Sequence, residues 1–78
     1  MAESDPYQER IRILRHQKGY SQAKVADILG TSQTMYARYE RGANELPIRH
    51  LIALSRLYGV STDWILGMES EKERAALK

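Results

Sequence analysis

The 78-residue sequence contains no cysteine. A disulfide framework, a thiolate nucleophile and a cysteine-ligated zinc are thereby excluded, and a reducing compartment is the natural setting. Side-chain packing has to supply the stability, at a length close to the lower limit for a domain held together by its core alone. Long apolar runs are missing too. The longest, Leu51 to Leu54, falls far short of the roughly 20 residues that a membrane-spanning helix requires. The stretch MAESDPYQER has no basic region leading into an apolar one, so neither a secretory leader nor a membrane span is expected.

The inventory for catalysis is equally thin. His16 and His50 are far apart and have no glutamate at metal-ligand spacing, no glycine-rich phosphate loop follows a strand pattern, and no nucleophile elbow is present. Ser21, Ser32 and Ser61 stand where helices should start, which is the ordinary use of such serines. His16 reads as a surface residue near a helix end. No enzyme, cofactor or metal site is expected.

What the chain does have is an uneven charge distribution. Residues 1–9 hold three acids and no base, residues 10–50 hold eight Lys/Arg against three acids, and residues 51–78 balance four against four. A basic middle attracts phosphate, although solvated helix faces also carry such charge, so pattern has to decide.

No repeat or low-complexity segment occurs, and the chain reads as five short helices with punctuation between them. Asp5-Pro6-Tyr7-Gln8 predicts a helix start with Asp5 as cap, Pro6 as first helical residue and Gln8 reaching back, followed by Tyr7, Ile11 and Leu14 on one face. Gly19 ends that helix. Ser21 opens a second, with Val25, Ala26 and Leu29 inward and Tyr20 stapled to Val25, and Gly30 closes it. Ser32 caps a third. At about 100° per residue, Tyr36 and Tyr39 share its inner side while Thr34, Ala37, Arg38 and Arg41 lie roughly opposite. After Gly42, the loop Ala43-Asn44-Glu45-Leu46 leads to Pro47, expected as first residue of a fourth helix carrying Leu51, Leu54, Leu57 and Tyr58. Ser61 caps a fifth, with Val60 and Ile65 as staple and Gly67 as stop. The expected organisation is an N-terminal tail over 1–5, one all-α domain over 6–67, and a C-terminal tail over 68–78, disordered or a short helix.

Two helices joined by a tight turn, the second with an apolar back and a basic front, are the parts of a helix-turn-helix. The residues Ser21-Gln22, Ala26, Gly30-Thr31-Ser32-Gln33-Thr34, Tyr39-Glu40-Arg41-Gly42 and Leu46-Pro47 extend that likeness. Over about residues 7–67 the chain resembles the Cro and phage-repressor type of helix-turn-helix, the XRE family. The resemblance implies a compact five-helix, lambda-repressor-like domain. It also implies sequence-specific binding to double-stranded DNA as a transcriptional regulator, most simply a repressor that covers a promoter, with the helix over 32–41 in the major groove.

Residue by residue, the resemblance assigns base contacts to Gln33, Thr34, Arg38 and Met35. A glutamine can bond adenine N6 and N7, an arginine can grip guanine O6 and N7, and a methionine can pack on a thymine methyl. For Arg38 a phosphate is the alternative partner, for Thr34 support of the first turn, and for Met35 a place in the core. Gln22 matches a phosphate contact that also braces the recognition helix, and Ser21, Lys24, Arg41, Asn44 and Arg49 are further phosphate candidates. Arg15 and Glu40 match a partly buried ion pair tying the first helix to the third. Lys24 departs from the family pattern, since a glutamate commonly completes the capping box after Ser21, and Ile48 has no polar reach.

One module reads only a few base pairs, so a homodimer on a near-palindromic operator is expected, with Trp64, Leu66 and Met68 as interface candidates and core packing as the alternative for Trp64. No small-molecule effector is expected. The implied location is the cytoplasm of a bacterium, chromosomal or phage-encoded, on the nucleoid when bound. A second function class is open on the same fold, a protein-binding adaptor or antitoxin-like module. Such a module should show apolar anchors on the front of the third helix, where this sequence has Gln33, Thr34, Arg38 and Arg41.

Overall fold

Capping serines and left-handed glycines punctuate the chain where the sequence predicts. A computed structural model describes residues 6–68, in which five helices follow one another: α1 (Tyr7–Lys18), α2 (Gln22–Leu29), α3 (Gln33–Arg41), α4 (Ile48–Tyr58) and α5 (Thr62–Ile65). No strand occurs among the described residues. Asp5 and, beyond Met68, the expected C-terminal tail lie outside them.

Three helices start on a serine. The hydroxyls of Ser21, Ser32 and Ser61 accept hydrogen bonds from the amides of Lys24, Met35 and Trp64, at 3.0, 3.1 and 3.0 Å. Each satisfies one of the amides that a first helical turn leaves without a partner.

The two proline starts differ by one residue from expectation. Pro6 and Pro47 are extended, with ψ of 159° and 149°, and occupy the capping position just outside α1 and α4 rather than the first helical position. The Pro6 carbonyl accepts from the amides of Glu9 and Arg10, and that of Pro47 from His50 and Leu51. A cap donates nothing from its own amide to the helix, so a residue without N–H fits there as well as one step further on.

The inward stripes meet in one core. Ile11 and Leu14 of α1, Val25 and Ala26 of α2, Tyr36 and Tyr39 of α3, Leu54 and Tyr58 of α4 and Ile65 of α5 are all buried, with Leu46 added from the loop. Burial of a residue such as Ile11 or Leu54 contributes about 1.5 to 3 kcal/mol, which a chain without cross-links requires at several positions. The closest helix packing is between α2 and α3, followed by α1 on α3, so α3 is braced from two sides. Gly42 ends α3 at φ +77°, and a Cβ there would stand 3.4 Å from Gln8 Nε2 of α1. A side chain at this corner would be strained by its backbone and crowded by α1 at once.

Candidate nucleic-acid interface

The outer face of α3 is the most distinctive surface of the molecule. Tyr36 and Tyr39 turn into the core, their rings edge-to-face with centroids 6.4 Å apart. By the helical period, Gln33, Thr34, Arg38 and Arg41 then face out, and all four are exposed. The structure therefore brings the sequence candidates together as one ridge of amide, hydroxyl and guanidinium groups. Met35, on the flank, is half-buried and packs against the core.

Around this ridge lie the other candidates. Ser21 and Lys24 are exposed in the first turn of α2, Arg41 and Asn44 at the end of α3, and Arg49 in the first turn of α4. Ala43 and Asn44 donate their amides back to the Arg38 carbonyl, at 2.9 and 3.4 Å, which folds the loop tightly under α3. The same loop is fastened to α1, where the Tyr7 hydroxyl accepts a hydrogen bond from the Leu46 amide at 3.1 Å.

A buried polar knot orients the ridge from behind. Arg15 donates from Nε to Glu40 Oε2 at 2.7 Å and from Nη2 to Glu40 Oε1 at 3.0 Å. Arg15 Nη1 donates to the Tyr20 carbonyl at 2.9 Å, and Gln22 Nε2 donates to Glu40 Oε1 at 3.2 Å. One ion pair thus joins α1, the turn before α2, the start of α2 and α3. Burial on its own would raise the Glu40 pKa, but Arg15 first, then the Tyr36 hydroxyl and Gln22, outweigh it and hold the carboxyl below its ordinary value. The Arg15 guanidinium is correspondingly held in its charged form, chiefly by its bond to Glu40. Gln22 is half-buried, with its amide group committed to this knot.

Two buried polar residues were not anticipated. Arg10 is 3% exposed and His50 is 5% exposed. The signal for both was positional: Arg10 falls in the stripe of Tyr7, Ile11 and Leu14, and His50 in that of Leu54, Leu57 and Tyr58. Their polarity hid it, because a periodic pattern counts only apolar residues. The His50 ring lies 5.8 Å from that of Tyr39, and burial, seconded by the neighbouring charge of Arg49, lowers its pKa. Arg10 stacks its guanidinium 5.0 Å from the centre of the Trp64 ring.

Beyond α4 the three remaining candidates differ. Leu66 and Met68 are exposed, whereas Trp64 is half-buried against the core. Among the described residues no group of three or more acidic or histidine side chains is arranged to hold a metal, and no helix is long and apolar enough to cross a membrane.

Known proteins resemble the chain in sequence and in fold. The helix-turn-helix family model matches residues 11–65. The chain is 45% identical over 58 residues to the SPbeta prophage-derived uncharacterized HTH-type transcriptional regulator YonR of Bacillus subtilis, a match covering 74% of this chain and 54% of that protein. It is 34% identical over 65 residues to the HTH-type transcriptional regulator DicA of Escherichia coli, covering 83% of this chain and 48% of that one. With the HTH-type transcriptional regulator ImmR of Bacillus subtilis it shares 32% over 66 residues, or 85% of this chain and 52% of the other. The chain therefore spans about half the length of these curated relatives. Among solved structures, the P22 c2 repressor protein in complex with synthetic operator 9T matches with a TM-score of 0.76 at 29% identity, covering 85% of this chain and 100% of that one. The five-helix, lambda-repressor-like architecture read from the sequence is thus shared with a phage repressor of known structure. With more than half of its length matched by one family model, the chain belongs to the helix-turn-helix family.

Proposed function

We propose that this chain binds double-stranded DNA in a sequence-specific manner and regulates transcription, most simply as a repressor, with α3 lying in the major groove. The observation that carries the reading is the division of α3 itself. Its tyrosines are buried, its Gln33, Thr34, Arg38 and Arg41 side chains are exposed, and the Arg15–Glu40 pair holds it rigid from behind. An adaptor or antitoxin-like surface would call for apolar anchors on that front, and polar groups stand there instead. The likeness to a repressor crystallised with its synthetic operator supports the same conclusion.

In this reading Gln33, Thr34 and Arg38 meet base edges, with Met35 alongside as a thymine-methyl contact. Ser21, Gln22, Lys24, Arg41, Asn44 and Arg49 meet phosphates. The amides at the start of α2 add to the attraction for an anion. Gln22 has a double duty, since its amide already bonds Glu40, and a phosphate at its other atoms would couple backbone contact to the setting of α3. The chain acts as a homodimer through the surface of Leu66 and Met68 with Trp64 beside it, on a near-palindromic operator whose half-sites are about 34 Å apart, one helical turn. It works in the cytoplasm, on the nucleoid when bound, without catalysis and without a small-molecule effector.

Titration of the chain against duplex DNA at two salt concentrations tests the central claim. Neutralising several phosphates makes affinity fall steeply as salt rises, and a selected sequence should hold on to more affinity than a random one. Binding that ignores both salt and sequence would overturn it. Sedimentation that finds only monomer, free and with a selected operator, would remove the dimer.

A further inference from the structure

The corner between α3 and α4 is a short strap, residues 42–47, whose two ends are fastened to different partners. At the near end the amides of Gly42, Ala43 and Asn44 return to the carbonyls of Tyr39 and Arg38 in α3. At the far end the Leu46 amide turns away from α3 and donates to the Tyr7 hydroxyl of α1, 39 residues back, at 3.1 Å. The Leu46 side chain is buried there, and Gln8, next to Tyr7, lies beside Gly42 at the near end. The first turn of α1 therefore meets the strap at both ends, while Ala43, Asn44 and Glu45 between them are exposed.

Neighbours on this strap deal with phosphate in opposite ways. The Asn44 side chain can donate a hydrogen bond to a phosphate oxygen, and the Glu45 carboxylate beside it repels one. A strap free to roll loses the first and brings the second forward. Gly42, at φ +77°, supplies the turn but no stiffness, and Pro47 has no amide, so the Leu46 amide is the last main-chain donor before α4 by which the strap can be held. Because Leu46 is buried, an amide without an acceptor there is costly, and losing the hydroxyl drives the strap outward to water.

We propose that Tyr7 is a positioning residue for DNA binding: its hydroxyl holds the α3–α4 strap in the setting that turns Asn44, and not Glu45, to the phosphates beside the groove that α3 enters. The inference rests on the DNA-binding reading above and deepens it. Tyr7 falls in the stripe of Ile11 and Leu14, and its ring packs against the core like that of any inward aromatic. The ring serves the fold and the oxygen serves the strap, and Tyr7→Phe removes the oxygen alone.

Four forms of the full chain separate these roles, on an operator selected in vitro from random duplexes: wild type, Tyr7→Phe, a stripped strap carrying Asn44→Ala with Glu45→Ala, and all three changes together. In the free Tyr7→Phe chain, exchange of the Leu46 amide should speed up on the order of tenfold, with the inner amides of α3 within about twofold of wild type. Operator affinity should fall on the order of fivefold, by the same factor on every single-base variant of the operator, because the strap meets backbone and not base edges. On the stripped strap the same Tyr7→Phe change should cost less than about twofold, since nothing is left there to position. A wild type that selects no operator would sink the DNA-binding reading itself. With an operator in hand, an unchanged Leu46 exchange rate or an unchanged affinity in Tyr7→Phe would overturn the role of Tyr7. So would a loss that differs from base to base, or one as large on the stripped strap as on the native one, because those patterns belong to α3 or to general support of the fold.

Discussion

The guanidinium of Arg15 meets the carboxylate of Glu40 in a two-pronged pair, Nε to Oε2 at 2.7 Å and Nη2 to Oε1 at 3.0 Å, joining α1 to α3 across 25 residues of chain. Removing one partner leaves the other charge buried and uncompensated. Arg15→Ala is therefore expected to lower stability by roughly 3 to 5 kcal/mol and to lose DNA binding through loosening of α3. Replacing both with apolar residues of similar volume should cost much less than the two single changes added. Thermal melts of the three variants check this, and an Arg15→Ala melt matching wild type would refute it.

Gln33 and Gln22 divide the labour of recognition. Gln33→Ala should relax preference at one base pair by about 1 to 3 kcal/mol, whereas Gln22→Ala should weaken every sequence alike. Affinities measured on a panel of single-base operator variants separate the two, and uniform losses for both proteins would contradict the division.

His50 makes stability depend on pH. Its ring is buried in the first turn of α4, facing Tyr39 of α3, with Arg49 the charge beside it, and its pKa in the folded chain is lowered, first by burial and then by Arg49. A lowered histidine pKa means that the unfolded chain takes up the proton first. Stability is then full above the ordinary histidine value of about 6.5 and declines as pH falls from there towards the folded pKa. Glu40, lowered as well, adds a second decline below the ordinary carboxylate range as its pair with Arg15 is neutralised. Denaturant midpoints measured from pH 8 to about pH 5 should fall, and a His50→Phe variant, which keeps a ring beside Tyr39, should remove most of that slope.

Ser32 starts α3 by accepting the Met35 amide at 3.1 Å. Ser32→Ala should cost about 1 kcal/mol of stability, and Ser32→Asp or Ser32→Asn much less. Chemical denaturation resolves such differences; equal stability of the alanine and asparagine variants would show that the cap contributes nothing.

Much of this fold was readable residue by residue. Ser21, Ser32 and Ser61 as caps, Gly19, Gly30 and Gly42 as left-handed stops, and the inward stripes ending in Tyr36, Tyr39 and Tyr58 all act over a few residues, where propensity and periodicity operate. Proline was the exception among the local signals. Its locked φ suits both the capping position and the one after it, so Pro6 and Pro47 were read one step too far along.

The candidate site was legible as far as the face of α3. Exposure of Gln33, Thr34 and Arg38 follows once Tyr36 and Tyr39 are turned inward. Position in the apolar stripe did not reveal Arg10 or His50, because a buried polar group is tolerated only if its partners arrive from elsewhere in the chain. Tyr39 comes from α3 to His50, and Trp64 from α5 to Arg10.

From the order of residues alone came the number of helices, their caps and stops, and which side of each would be apolar, since these depend on neighbours within about one or two turns. Only the packed molecule decided which polar groups could be withdrawn from water and which partners they would meet. Those outcomes depend on donors and acceptors meeting across tens of residues, as Arg15 meets Glu40 and Arg10 meets Trp64, and no local pattern encodes such meetings.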